Sequence, residues 1–161
     1  MSLVLVDAGR VTVARKLQAT NACLIVGSGD VAWGAVPPSV PLSATGILAP
    51  VALVRPRVKL YAIPDPAGQV ETDDGSKWTI SETPTAYLYL AYVMGFQDGP
   101  EETLREIAVT LDPVLDEEVL PGLEYVPWAD VVSPGDLLGI ERWPPTERIG
   151  TRLTVERVIA I

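Results

Sequence analysis

A mainly β fold of the α+β class, an antiparallel sheet or sandwich with one N-terminal helix and long Pro-rich loops, is predicted by three observations. Fifteen prolines are spread from Pro37 to Pro145, and helix interiors cannot hold them. The first 36 residues contain none and carry a helical period. Apolar or alternating runs bounded by Gly and Pro recur along the remainder, which is the pattern of strands. A single domain spanning residues 1–161 is expected, because a chain of this length buries roughly 70% of the surface its unfolded form exposes.

The first element is a helix opening at Asp7, which is placed to cap it, with Val11, Ala14, Leu17 and Gln18 at helical spacing and Arg10, Arg15 and Lys16 elsewhere. The β-branched Val11 and Val13 weaken it. Ala22 to Val26 reads as a short buried strand ended by the turn Gly27-Ser28-Gly29-Asp30. Residues 31–50 hold Trp33, Gly34, Pro37, Pro38, Pro41, Gly46 and Pro50 and keep neither period. They are expected to form a long ordered loop with a helical turn near Pro41 to Thr45, and loops of this length tend to be functional. This segment is a candidate contact arm.

Val54 to Ile63 predicts a strand, with Pro56 marking an edge, a bulge or a beginning. Asp73-Asp74-Gly75-Ser76 predicts a hairpin between Gln69–Thr72 and Lys77–Ser81, since Asp-Gly is a strong turn signal. Thr85 to Phe96 is apolar or aromatic almost throughout, the mark of a strand covered on both faces. It is expected at the centre of the sheet, with Thr103 to Leu111 as its neighbour. Asp112 to Pro145 holds six prolines and is expected to supply one strand, near Asp136 to Trp143. Arg152 to Ile161 alternates and is expected to end the chain inside the sheet.

Composition narrows the functions available. An apolar fraction of 48% with mean hydropathy +0.26 excludes the disordered class despite a net charge of −9. The absence of histidine removes the commonest general base and metal ligand, and with them Ser-His and Cys-His nucleophilic pairs. Cys23 lies in an apolar run and reads as a small buried hydrophobe, and a lone cysteine has no partner for an intramolecular disulfide. Met1 to Val6 is followed at once by Asp7 and lacks the basic start and length of a secretory leader. No apolar run approaches the roughly 18 residues of a membrane helix, so a soluble chain with no membrane partner is expected. Residues 1–60 carry six Lys/Arg against two acids, and residues 61–161 six against nineteen. An acidic whole argues against nucleic acid as a partner. Such asymmetry suits a solvated surface, or unlike faces of neighbouring subunits that meet in a ring or stack.

No motif carries catalytic chemistry. Val26 to Asp30 lacks both the dinucleotide-fold glycine spacing and the Lys-Ser/Thr end of a phosphate loop. Asp112, Asp116, Glu117 and Glu118 could offer oxygens to a hard cation but lack EF-hand spacing. Lys77 has no Ser or Thr placed beside it by any motif. A carboxylate-only glycosidase survives the lack of histidine, yet only 6% of residues are aromatic and no sugar platform is visible. No catalytic, cofactor or metal residues are therefore assigned. The candidate protein-contact residues are Trp33, Trp128, Trp143, Arg105 and Glu106. The three tryptophans stand in loop-rich stretches, where they anchor a loop on its own core or insert into a neighbour. Trp78, in the hairpin, reads as core. Arg105 and Glu106 read either as a local ion pair or as ties from their strand to a loop or partner.

Three segments in order carry a resemblance: Asp7 to Leu17, with its acidic-Ala-Gly opening; Val26 to Asp30; and Thr103-Leu-Arg105-Glu106 to Leu111. Together they resemble the N-terminal attachment domain of tailed-bacteriophage tail-fibre and tail-collar proteins. Its opening helix, Gly-Asp-Gly turn and Thr-x-Arg-Glu-hydrophobic strand are similar to these segments, with the order of the turn altered. The resemblance covers about a quarter of the chain. It implies a non-enzymatic virion structural protein that is made in the host cytoplasm and resides in the tail. Such a protein joins baseplate or tail-fibre components by multivalent contacts, in several copies or as a homo-oligomer, without a cofactor. With no repetitive shaft or receptor-binding tip, the chain reads as an adaptor or baseplate part more than as a fibre. The alternatives are a small carboxylate-dependent glycan hydrolase of a tail and an accessory domain binding a ligand or metal.

Overall fold

A computed structural model describes residues 4–161; Met1 to Leu3, part of the start read above as lacking a leader, lie outside the described residues. In chain order the elements are α1 (Asp7–Ala19), β1 (Ala22–Gly27), β2 (Pro50–Val54), β3 (Pro56–Pro64), β4 (Val70–Glu71), β5 (Lys77–Ser81), β6 (Tyr87–Met94), β7 (Thr103–Leu111), β8 (Val114–Leu115), β9 (Tyr125–Pro127), a single 3-10 turn (Trp128–Asp130), β10 (Val131–Ser133), β11 (Asp136–Glu147) and β12 (Leu153–Ala160). The molecule is mainly β with one N-terminal helix, the class that the prolines dictate. Two compact units are formed: Met1–Thr20 with Arg57–Tyr92 and Val155–Ile161, and Asn21–Pro56 with Val93–Thr154.

In the first unit, α1 begins one residue earlier than expected. Val6, not Asp7, is the N-cap, in extended conformation and without a side-chain cap. Its carbonyl accepts the first helical bond, from Arg10 N at 3.0 Å. Asp7 instead occupies the first turn, where a carboxylate faces the positive end of the helix dipole. At the other end Thr20 donates from both N (3.1 Å) and Oγ1 (2.7 Å) to Leu17 O, and the Lys59 ammonium donates to Thr20 O. The carbonyls of Leu17 and Thr20 at this end are thereby satisfied.

The sheet of this unit has the order β12-β6-β3-β5-β4. The predicted hairpin is present, with Val70 opposite Trp78 and Glu71 opposite Lys77. In its turn the Asp74 carboxylate accepts Ser76 N (3.0 Å) and Thr72 Oγ1 (2.7 Å), bonds that hold its pKa below the usual carboxylate range. Trp78 is core, as read: it packs on the Ala62, Tyr89 and Ala91 cluster, its ring centroid 5.3 Å from that of Tyr87. Seven of the eight β6 residues are buried, so β6 is interior, although it is second in the order and not central. β12 is the edge strand, not an internal one. Alternation reports one covered face and is the same for an edge strand and an interior strand.

The second unit holds the sheet β11-β7-β1-β2-β9 and the two-stranded β10-β8. β1, buried at all six positions, is the middle strand and runs antiparallel to both β2 and β7. Its register against β7 runs from Ala22 opposite Leu111 to Gly27 opposite Glu106. The expected pairing of the Thr85 and Thr103 runs is corrected: β7 pairs with β1 and β11, in a different sheet from β6. Hydrophobic pattern fixes which face is buried but does not name the hydrogen-bond partner.

The single strand expected over 54–63 is two strands, β2 and β3, parted at Arg55. There the backbone N donates to Glu124 O at 2.7 Å and the guanidinium donates to the Leu120 and Pro121 carbonyls. Pro56 opens β3, a position where its missing N–H costs nothing. The 112–145 stretch holds three short strands besides β11. Cys23, Ile25, Leu53, Ala108 and Val126 form the core of this unit, and Cys23 is buried and not in a disulfide.

Candidate functional site

The site lies in the second unit and is built around the loop that follows β1. Gly27 and Gly29 set its start. A Cβ on Gly27 would stand 2.7 Å from Ile47 Cδ1 and 2.9 Å from Leu48 O. Gly29 has φ +58°, and a Cβ there would meet the Trp33 ring at 2.7 Å and Arg105 Cβ at 3.0 Å. Both glycines are required by close approach, and Gly29 also by its left-handed backbone. Asp30 then turns the chain, accepting Ala32 N at 2.8 Å through Oδ1 and Trp33 N at 3.0 Å through its carbonyl. Around Pro41 the expected helical turn is one tight turn, closed by Ala44 N to Pro41 O at 3.0 Å. Pro50, read as the end of the loop, is the first residue of β2.

β7 and β11 hold this arm down. In their antiparallel register Glu106 lies opposite Arg142. The Glu106 side chain is 1% exposed, and one of its carboxylate oxygens accepts Leu48 N. The other stands 3.7 Å from Arg142 Nε, an ion pair longer than a hydrogen bond. Arg142 in turn donates through Nη1 to Pro38 O (3.1 Å) and Ser39 O (3.0 Å), with its guanidinium carbon 4.3 Å from the centroid of Trp33. That cation–π contact contributes about 0.5 to 2 kcal/mol according to how dry it is. Arg105 donates from Nη1 to Ser28 O at 2.9 Å. The arm is thus tied at Ser28, Trp33, Pro38, Ser39 and Leu48 by three side chains of two neighbouring strands. Burial raises the pKa of Glu106 above its usual 4.5, against the opposing pull of Leu48 N–H and the Arg142 charge.

Of the residues singled out from sequence, Trp33, Arg105 and Glu106 come together at this clamp. Arg105 and Glu106 do not pair with each other; their side chains leave opposite faces of β7. Trp128, half-buried, packs on the Cys23–Val126 core and lines a cavity of about 110 Å³ shared with Thr45, Ile47 and Leu137. Trp143 is half-buried on β11 and donates Nε1 to Glu141 Oε1 at 2.8 Å. Sequence reasoning missed Arg142, the hub of the clamp. Its signal is rarity, for it is one of four arginines, with no lysine, among thirteen acids in residues 93–154, and it stands in a strand-like run.

What the clamp does is present an apolar surface. Val31, Val36 and Leu42 are 82%, 88% and 108% exposed, and Leu48 is half-exposed. Beside Leu42 a groove of about 460 Å³ separates Val40–Ala44 from Leu137–Ile140 of β11. Exposed apolar side chains on a tied loop suit protein contact. Among the described residues no group of three His, Cys, Asp or Glu side chains is placed to hold a metal ion. Asp112 and Asp116, read as possible cation ligands, accept Asn21 N and Glu118 N at 2.8 and 2.9 Å. No helix among the described residues is long and apolar enough to cross a membrane.

A small β-rich unit carrying a tied arm of exposed apolar residues, with no grouped metal-ligating side chains among the described residues, has the form of a structural module. Over residues 3–161 the chain matches the family described as baseplate wedge 3 tail fiber network component, and it belongs to that family. It is therefore a phage baseplate and tail component with other tail proteins as partners, located in the tail, in agreement with the resemblance carried by the three motifs. No curated protein matches the chain.

Proposed function

We propose that the chain is a non-enzymatic adaptor acting as one structural module, which joins baseplate or tail-fibre components of the virion through the 31–50 arm in many copies. The observation that carries this reading is the Glu106–Arg142–Trp33 clamp. It spends a buried ion pair on fixing a loop whose tip residues Val36 and Leu42 are almost wholly exposed. Ordering the arm in advance removes an entropic cost of association. Repetition by symmetry then converts a modest contact into a tight assembly. Trp33 and Glu106 serve the contact by bracing it, while Val36 and Leu42 reach the partner. No cofactor enters this function.

Val36→Asp with Leu42→Asp tests it, since both side chains are exposed and the double variant is expected to melt within about 0.5 kcal/mol of the parent. Light scattering after size-exclusion chromatography of mixtures with purified baseplate and tail-fibre proteins should show a complex with the parent that the variant fails to form. A complex equally tight with both would remove the arm from the interface.

A further inference from the structure

A second largely exposed element is α1. Ala14 is its one buried residue, and at 13 residues the helix is of a length that is marginal alone in water. Val4, Leu5 and Val6, leading into it, are 74%, 45% and 62% exposed. Arg15 and Lys16 are also exposed on the helix, while Arg10 donates to Ile161 O. α1 therefore offers an apolar lead followed by a basic flank.

Charge also divides by unit. The first unit carries seven Lys/Arg against seven acids, and the second five arginines against fourteen acids, so the whole −9 falls on the second. In that second unit the 112–124 loop borders a groove of about 370 Å³ lined by Cys23, Arg55, Pro113, Leu115 and Pro121. On this loop Val114, Leu120 and Leu123 are exposed apolar residues, interleaved with exposed Asp116, Glu117 and Glu118. Arg55 keeps its charge in this groove, with its guanidinium donating to the Leu120 and Pro121 carbonyls, so the basic part of a visiting helix belongs on the acidic loop and not beside Arg55.

We infer that the occupant of this acidic and apolar loop is α1 of a second copy of the chain, lying along the loop's exposed face, with Val4–Val6 on Leu120 and Leu123 and with Arg15 and Lys16 facing Glu117 and Glu118. The two surfaces complement one another in charge and in apolar character, and one chain carries both. Made in one direction, the contact propagates head to tail into a ring or a filament; made reciprocally, it closes a two-fold dimer. It deepens the reading of the protein as a multi-copy tail part and rests on that reading, but uses a surface separate from the arm.

The test uses the full chain alone, so its failure leaves the arm experiment standing. Sedimentation velocity over a concentration series at low salt should show mass rising with concentration. At ~1 M salt, where screening acts within about 3 Å, association should fall away. Arg15→Glu with Lys16→Glu, and separately Glu117→Lys with Glu118→Lys, should each weaken association by roughly tenfold or more, through like-charge repulsion. Combining all four changes in one chain should restore it. All these positions are exposed, and a melt of each variant verifies folding. A parent that stays monomeric at every concentration overturns the inference, as do reversals that leave the mass unchanged or a fourfold variant that fails to recover.

Discussion

Arg142→Ala is expected to destabilise the second unit by about 3 to 5 kcal/mol, the cost of leaving a buried charge without its partner. Glu106 cannot escape to solvent from its 1% exposed position, and Leu48 N–H would be its one remaining support. The same change removes the two bonds to Pro38 and Ser39 and the cover over Trp33. The arm should therefore loosen before the unit unfolds. Urea denaturation measures the first effect. Limited thermolysin digestion under native conditions measures the second, because the arm holds Val36, Leu42 and Leu48 as sites but no Lys or Arg for trypsin before Arg55. Leu53→Ala, a core truncation of similar cost, is the control: it should lower stability without exposing the arm to early cleavage.

The pH dependence follows from the direction of the Glu106 shift. A carboxyl with a raised folded pKa keeps its proton in the folded state where the unfolded chain has released it, so stability falls as pH rises from the usual 4.5 through the folded value. Without the Arg142 charge the folded value moves further up. Arg142→Ala should then cost less near pH 4.5 than at neutral pH, and Glu106→Gln, which keeps an acceptor for Leu48 N–H, should flatten this part of the profile. Chemical-denaturation midpoints across that range decide the matter. A cost for Arg142→Ala that does not vary with pH would mean that the pair is not what fixes the arm.

A comparable loss is expected for Arg148→Met, again about 3 kcal/mol or more. Arg148 is 1% exposed and donates from Nη2 to Gly95 O (2.7 Å) and Asp98 O (3.0 Å) and from Nη1 to Thr151 O (2.9 Å). Methionine preserves much of the volume but leaves three carbonyls without their donor, each costing about 1 to 3 kcal/mol if it stays buried. Burial pulls the guanidinium pKa down while Asp98 and Tyr125 pull it back, and an arginine remains charged throughout. Arg148→Lys should recover only part of the loss, since one ammonium cannot span three carbonyls in the fork geometry. Thermal melts rank the three proteins, and hydrogen exchange at Gly95 to Glu102 should rise in the methionine variant.

Local order was legible in the sequence wherever one strong local cause acts. Proline excluded helix from most of the chain, Asp-Gly placed the hairpin between β4 and β5, and the unbroken apolar run marked β6 as covered on both faces. The arm was legible as an absence of period, and its glycine turn as a stop. The clamp was legible only in part. Glu106 and Trp33 drew notice singly, whereas Arg142 stands 36 residues beyond Glu106, and nothing local reveals that β11 is the strand set against β7.

By itself, then, the sequence determined the mainly β class, the position of the helix, the long loop after β1 and the lack of histidine chemistry, because each rests on backbone geometry or side-chain inventory. Tertiary structure alone decided that β6 and β7 belong to different sheets, that β12 is an edge, and that Glu106 turns to Arg142 instead of Arg105. Each of these is a choice of partner among segments that look alike. Such a choice is settled by long-range register and by the need to pair buried groups, and a hydrophobic pattern carries no record of either.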